Sequence, residues 1–146
     1  MPFQIRTIVT TLVIAISSSG CVPFPHYSTI QPDIKIEVKD EAGYPIPNAS
    51  ILFISASYPH RVLHNKAELH TNSQGKAELA RERKWESSYP FMLHGVRVYY
   101  WAWCISKSGY ETISSETTET SSRATVTLKK GATKTCSNDE GYINIH

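Results

Sequence analysis

Residues 96–110 read VRVYYWAWCISKSGY, and the reading of this stretch decides the fold. It is the most aromatic and apolar run outside the N-terminus. It alternates, and it ends in a turn at Gly109. Branched and aromatic side chains on a period of two specify a β-strand. Trp101, Trp103 and Ile105 share one face, while Val96, Val98, Tyr100, Ala102 and Cys104 share the other. Both faces are apolar, so the strand is expected to be central and covered on both sides.

Outward from it, the chain repeats short strand and turn signals. Residues 34–39 (IKIEVK) alternate strictly, and Asp40 and Gly43 turn the chain. Gly supplies positive φ and Asp bonds back to the backbone. Residues 50–55 (SILFIS) and 67–71 (AELHT) read as strands, Asn72 to Gly75 repeats the first turn's chemistry, and residues 76–80 (KAELA) return as a strand. Residues 110–115 and 124–129 (ATVTLK) are two more, joined by a Ser/Thr-rich link over 116–123. Ala, Glu, Leu and Lys favour a helix over 66–83, but the turn in its middle argues against one. Residues 81–90 (RERKWESSYP) are polar and turn-rich, and residues 56–66 (ASYPHRVLHNK) have no clear period and read as a long loop. The expectation is an all-β chain with a single small antiparallel β-sandwich.

The chain has 146 residues and a formal charge of +2. The mildly basic runs at 76–84 and 129–134 read as solvated strand ends, so no nucleic-acid footprint is expected. The N-terminus reads as a targeting segment. Arg6 precedes an apolar run of about ten residues at 7–16 (TIVTTLVIAI), within the signal-peptide range and too short to span a bilayer. Ser17, Ser18, Ser19 and Gly20 follow, then Cys21. This resembles a bacterial lipoprotein signal peptide, cut before a cysteine that then carries the lipid. Ser18 stands where such signals usually carry Leu. An ordinary secreted protein cut near Ser19 or Gly20 is the rival. The resemblance implies a signal peptide over 1–20, lipidation of Cys21 and a lipid-anchored cell-envelope protein. Val22 after the cysteine implies the outer membrane, facing the periplasm. Residues 21–33 (CVPFPHYSTIQPD) read as a proline-rich tether, in which Phe24 and Tyr27 either pack on the domain or lie at the membrane interface.

With Cys21 lipidated, Cys104 and Cys136 remain in an oxidising compartment, and a Cys104–Cys136 disulfide is expected, against two separate free thiols. It would pin residues 131–146 as a C-terminal tail.

The succession IKIEVKDEAGYPIPNASILFI, HTNSQGKAEL, YYWAWCISKSGYE and ATVTLKKG resembles the carboxypeptidase regulatory-like domain, a transthyretin-like (prealbumin-like) sandwich. Asp40, Gly43, Pro45, Ile46, Ala49, Ile51, Thr71, Gly75, Gly109, Tyr110, Val126 and Leu128 carry the match, with Ser108 in place of the usual Pro and Asn72 in place of the usual Asp. The resemblance covers about 34–130, with long inserts before Ala67 and Val96. It implies that the Ile105 face points inward. Cys104 then points outward, and the tail folds back over Val98 and Tyr100. It implies no particular function, since such domains serve as spacers, adaptors and binding platforms.

Candidate chemistry is sparse. No Gly-x-Ser-x-Gly, Cys-x-x-Cys or glycine-rich phosphate loop occurs, and the terminal GYINIH does not match the Tyr-Arg-Gly-Ser signature of the transthyretin-like hydrolases. No catalytic residue and no cofactor are expected. His60 and His64 would lie about 13 Å apart on a strand, too far for one ion, so no metal is expected either. The 56–66 loop is the candidate contact region, through Tyr58, His60, Arg61 and His64. Together these readings predict a non-catalytic protein-binding or structural module of the envelope, with an inhibitor or immunity protein as its specific form. The alternative is a carbohydrate- or peptidoglycan-binding module using Tyr99, Trp101 or Trp85 as stacking surfaces.

Overall fold

The computed structural model describes residues 24–88, 97–119, 121–139 and 142–146. The signal peptide, Cys21 and Val96 lie outside them. The chain divides into two compact units. One comprises Ser28–Lys84 and Arg97–His146, the other Met1–Tyr27 and Trp85–Val96.

The described residues form an all-β structure. Its strands are β1 (Phe24–Gln31), β2 (Asp33–Asp40), β3 (Ser50–Tyr58), β4 (Val62–His70), β5 (Lys76–Leu79), β6 (Glu82–Ser88), β7 (Val98–Ser106), β8 (Ile113–Thr117), β9 (Ser121–Leu128), β10 (Cys136–Asp139) and β11 (Tyr142–Ile145). A three-stranded sheet in the order β5-β2-β9 and a four-stranded sheet in the order β4-β3-β7-β8 make the sandwich. The β2–β9 pair is parallel over its whole length, whereas the pairs on either side of β3 and β7 are antiparallel. Strands β1 and β6 form a separate ribbon, and β10 and β11 a C-terminal hairpin.

The core follows from alternation. Ile34, Ile36 and Val38 of β2 point inward with Val126 and Leu128 of β9. Facing them are Ile51 and Phe53 of β3 and Trp101, Trp103 and Ile105 of β7. Phe53 is directly opposite Trp103, and Ile51 opposite Ile105. Each buried aromatic removes roughly 150–250 Å² from water, worth about 4–6 kcal/mol. The inward face expected for the central strand is therefore the one observed.

The two Gly turns use one device. Asp40 Oδ1 accepts from the amides of Ala42 (3.0 Å) and Tyr44 (2.8 Å), and Asn72 Oδ1 from those of Gln74 (2.9 Å) and Lys76 (3.0 Å). Gly75 has φ of 71°, and a Cβ there would approach the Val38 carbonyl oxygen to 2.5 Å, so both conformation and space require glycine. Buried Thr71 ties the intervening link: its hydroxyl donates to the Ile46 carbonyl (2.7 Å) and accepts from the Ala49 amide (2.8 Å).

Several expectations are corrected. Residues 56–66 are not a long loop: β3 runs to Tyr58, β4 begins at Val62, and only Pro59 to Arg61 turn the chain, after a cis Tyr58–Pro59 bond. A bulge at Ser55/Ala56, opposite Asn65 and Leu63, shifts the register and hides the strand period. The tether expected over 21–33 is strand from Phe24 to Gln31, with Ile30, Gln31 and Pro32 buried. Proline is tolerated there because β1 belongs to a two-stranded ribbon and Pro25 sits at its start. Residues 82–88 are likewise strand.

The disulfide is formed between Cys104 and Cys136, with the Cα atoms 5.9 Å apart. It holds the β10–β11 hairpin against the outward faces of β3 and β7. Threonines fasten the approach to the hairpin. Thr133 Oγ1 contacts the Lys107 and Tyr110 carbonyls, both at 2.9 Å, and Thr112 Oγ1 donates to the Lys134 carbonyl (2.7 Å). The tail leaves Tyr100 fully buried but does not shield Val98, which is 45% exposed.

The bridge spans 32 residues, for which chain-entropy reasoning gives about 3–4 kcal/mol. Cys136→Ser should lower the unfolding free energy in urea by that amount, and non-reducing mass spectrometry of the wild type should show the linked peptide. An unchanged urea midpoint would contradict the argument.

Candidate functional site

The candidate contact residues separate into two groups. Tyr58 and Arg61 meet on the outer face of the four-stranded sheet. His64 turns inward at the bulge, and His60 stays exposed in the turn.

The outer group is built around one cation. Arg61 adopts a left-handed backbone (φ 49°) at the end of the three-residue turn. Its guanidinium lies 3.5 Å from the ring centroid of Tyr142, 4.7 Å from that of Tyr58 and 5.3 Å from that of Tyr100. Nη2 donates to the Tyr58 hydroxyl (2.8 Å) and Nη1 to the Tyr100 hydroxyl (3.3 Å). The Tyr58 hydroxyl donates in turn to Glu116 Oε1 (3.1 Å). Thus the end of β3, the turn, β7 and β11 meet at one side chain, and β8 joins them through Tyr58. Aromatic faces of this kind attract cations, and here the chain's own arginine fills the cage. The cluster therefore clamps the C-terminal hairpin onto the sheet.

Burial holds the Tyr58 hydroxyl above the ordinary phenol value of 10.0, aided by its bond to the Glu116 carboxylate. Burial also raises Tyr100, against the opposing pull of Arg61. The neutral phenols are thus favoured in the folded state.

The inner group is polar. His64 Nε2 lies 2.8 Å from Ser57 Oγ, and its ring packs 5.0 Å from that of Tyr99. A nucleophile and its base have such a spacing, but Ser57 is only 2% exposed. Beside it, Asn65 donates to Gln31 Oε1, and Gln31 donates to the Ala80 carbonyl. The Ile30 carbonyl accepts from both Ser55 Oγ and Trp101 Nε1. These bonds fasten the end of β1 to the sandwich. Among the described residues, no three His, Cys, Asp or Glu side chains gather to hold a metal ion.

Trp101 and Tyr100 are buried and Tyr99 is packed against the core, so the stacking surface expected from them does not form. The period-two pattern that makes them a strand also turns them into the sandwich or under the tail. Of that set Trp85 is exposed. An open groove of about 340 Å³ runs between β10 and the outer face of β3 and β4, lined by Leu52, Lys66, Glu68 and Asn138 among others.

Sequence reasoning missed Tyr100 and Tyr142 as partners of Arg61, and Glu116 as the partner of Tyr58. It also missed the exposed apolar side chains on the outer face with the cluster: Leu63 on β4, Val98 on β7 and Tyr142 on β11. The alternating YINI of the tail was the available signal for a strand that presents Tyr142.

No family model and no curated protein matches this chain. Among solved structures, it is similar to 3-chlorocatechol 1,2-dioxygenase from Rhodococcus opacus, at 15% identity and a TM-score of 0.47. The match covers 71% of this chain and 61% of that one, so the chain spans less than two thirds of that protein's length.

Arg61→Ala should accelerate amide hydrogen exchange over Tyr142–Ile145, on the order of tenfold, and leave Ile36 and Val38 unchanged. Equal acceleration in β2 would mean that Arg61 serves the whole fold and not the hairpin. The tyrosines set an alkaline limit. Their folded-state values lie above the unfolded value, so their contribution is complete below pH 10.0 and is lost as pH rises beyond it. Urea midpoints should fall above that pH, and Tyr100→Phe should flatten the fall.

Proposed function

We propose that this protein is a lipid-anchored, non-catalytic module of the cell envelope that binds another envelope protein through the β3–β4 hairpin end. The observation that supports it is that exposed Leu63, Val98 and Tyr142 lie on the same outer face as Arg61, with Tyr142 in contact with it. Val98 is the ladder partner of Tyr58, and Leu63 that of Ala56, so both lie on the outer face. Large apolar side chains beside an arginine and tyrosines have the composition of a protein-contact hot spot. The clamp holds them on paired strands, so little ordering cost is left for binding.

The specific form of this proposal is an inhibitor or immunity protein that lays the hairpin end on a toxin or hydrolase. The motive for a long plugging loop is gone, and a short rigid tip takes its place. The anchor rests on Arg6, the apolar run at 7–16, and Gly20-Cys21. The lipid-bearing cysteine would hold the protein at the membrane essentially permanently, because each buried methylene contributes about 0.8 kcal/mol. The resemblance of Val22 to an outer-membrane signal gives the proposed location.

Two measurements test the proposal. Cys21→Ser should move the protein from the membrane to the soluble fraction, and retention at the membrane would defeat the anchor. Photo-crosslinkers placed at Leu63 or Val98 should capture an envelope protein in cells, and Leu63→Asp should abolish capture at Val98 while changing stability by no more than about 0.5 kcal/mol. Capture that survives Leu63→Asp would place the contact elsewhere.

A further inference from the structure

The unit that adjoins Cys21 has its own exposed aromatic surface. Phe24 is 65% exposed and Trp85 64% exposed. Tyr27 is also exposed, and its ring meets that of Trp85 edge to face, with centroids 4.6 Å apart and planes at 86°. Tyr27 comes from β1 and Trp85 from β6, so the ribbon presents this pair together, and Phe24 begins β1 three residues earlier.

This surface has no counterpart in the sandwich core, whose aromatic members are Phe53, Trp101 and Trp103, with Tyr99 and Tyr110 packed against them. Phe24 follows Cys21 by three residues, two of which are Val22 and Pro23. Three residues reach at most about 11 Å. A lipidated Cys21 sits at the level of the lipid glycerol, so Phe24 is confined to the headgroup layer or its edge. Tyrosine and tryptophan favour that layer because an apolar ring carries a polar tip. The apolar rings then leave water without leaving the reach of the anchor.

We infer that the Tyr27–Trp85 pair forms a membrane-interface contact that docks the ribbon on the bilayer holding Cys21, with Phe24 kept near the headgroups by its short link to the anchor. The inference rests on the lipid-anchor proposal and adds to it a defined seat for the protein. The anchor alone would leave the domain free to swing; the aromatic contact fixes the ribbon against the lipid surface.

The experiment uses the three tryptophans, of which Trp101 and Trp103 are buried. The full chain, expressed with its own N-terminus, is purified and placed in vesicles of phosphatidylethanolamine and phosphatidylglycerol, with plain or brominated acyl chains. The expected result is weaker tryptophan emission in the brominated vesicles and protection from aqueous acrylamide. Trp85→Phe should abolish the difference between the two vesicle types. Vesicle-bound protein with equal emission in both would overturn the docking while leaving the anchor standing. It would do so whether Trp85 were open to acrylamide or covered by protein. Protein that stays in the aqueous fraction overturns the anchor, and the docking with it, and sedimentation distinguishes this case from the other.

Discussion

The structure depends on the pairing of β3 with β7, because both strands are apolar on both faces. Inward, Ile51, Phe53, Trp103 and Ile105 meet β2 and β9. Outward, Leu52, Ile54, Ala56, Tyr100, Ala102 and Cys104 are buried as well. A two-sheet sandwich covers only the first face. The second needs a cover, and the ten-residue hairpin of β10 and β11 has too few strands to be stable alone. It must be fastened from outside, and the chain does so at several points: the disulfide at Cys104, the threonine bonds to the 107–112 turn, and the Arg61 clamp on Tyr142. The fastenings differ in kind. The disulfide limits the unfolded chain, whereas Arg61 acts only in the folded state.

The other end of the same strand pair turns polar on its inner face. Ser55 and Ser57 of β3 face inward there, and unsatisfied hydroxyls would cost about 1–3 kcal/mol each. The end of β1 meets this demand, with the Ile30 carbonyl accepting from Ser55 and from the Trp101 indole, while His64 engages Ser57. The residues just before β2 are therefore part of the fold by necessity. Removing them would uncover the surface on which Ile30 and Pro32 pack and orphan a buried hydroxyl and an indole nitrogen.

What was legible in the sequence had a local cause. The strict alternation of 34–39 and the Asp-x-x-Gly and Asn-x-x-Gly turns are set within a few residues, and they appear as read. The two faces of β7 and the partner of Cys104 could also be read, since strand phase and cysteine number restrict them. Three features were hidden because distant residues fix them. The bulge opposite Asn65 breaks the period of β4, which made a hairpin look like a loop. Pro23, Pro25 and Pro32 made β1 look like a tether, although its ladder partner in β6 lies more than fifty residues away. The Arg61 cage draws on Tyr58, Tyr100, Glu116 and Tyr142, whose spacing carries no pattern. Of the candidate site, Tyr58 and Arg61 were found, but their role was not.

That role bears on where binding can occur. An aromatic cage with an empty centre is a ligand site; a cage closed by its own arginine is a brace. The same residues thus move from recognition to support, and the proposed recognition rests on the exposed side chains around them. Leu63 pairs with Ala56 and Val98 with Tyr58, so strand phase puts both on the outer face with the cage. An arginine that clamps its own tail also couples the tip to the disulfide. Loss of the Cys136 bridge would loosen Tyr142, Tyr142 would release Arg61, and the tip would lose the rigidity that makes its exposed apolar surface suited to binding. Covalent, cation–π and packing interactions thus converge on one short segment, and the physical reason to look for a partner there is that the chain invests so much of its structure in holding it still.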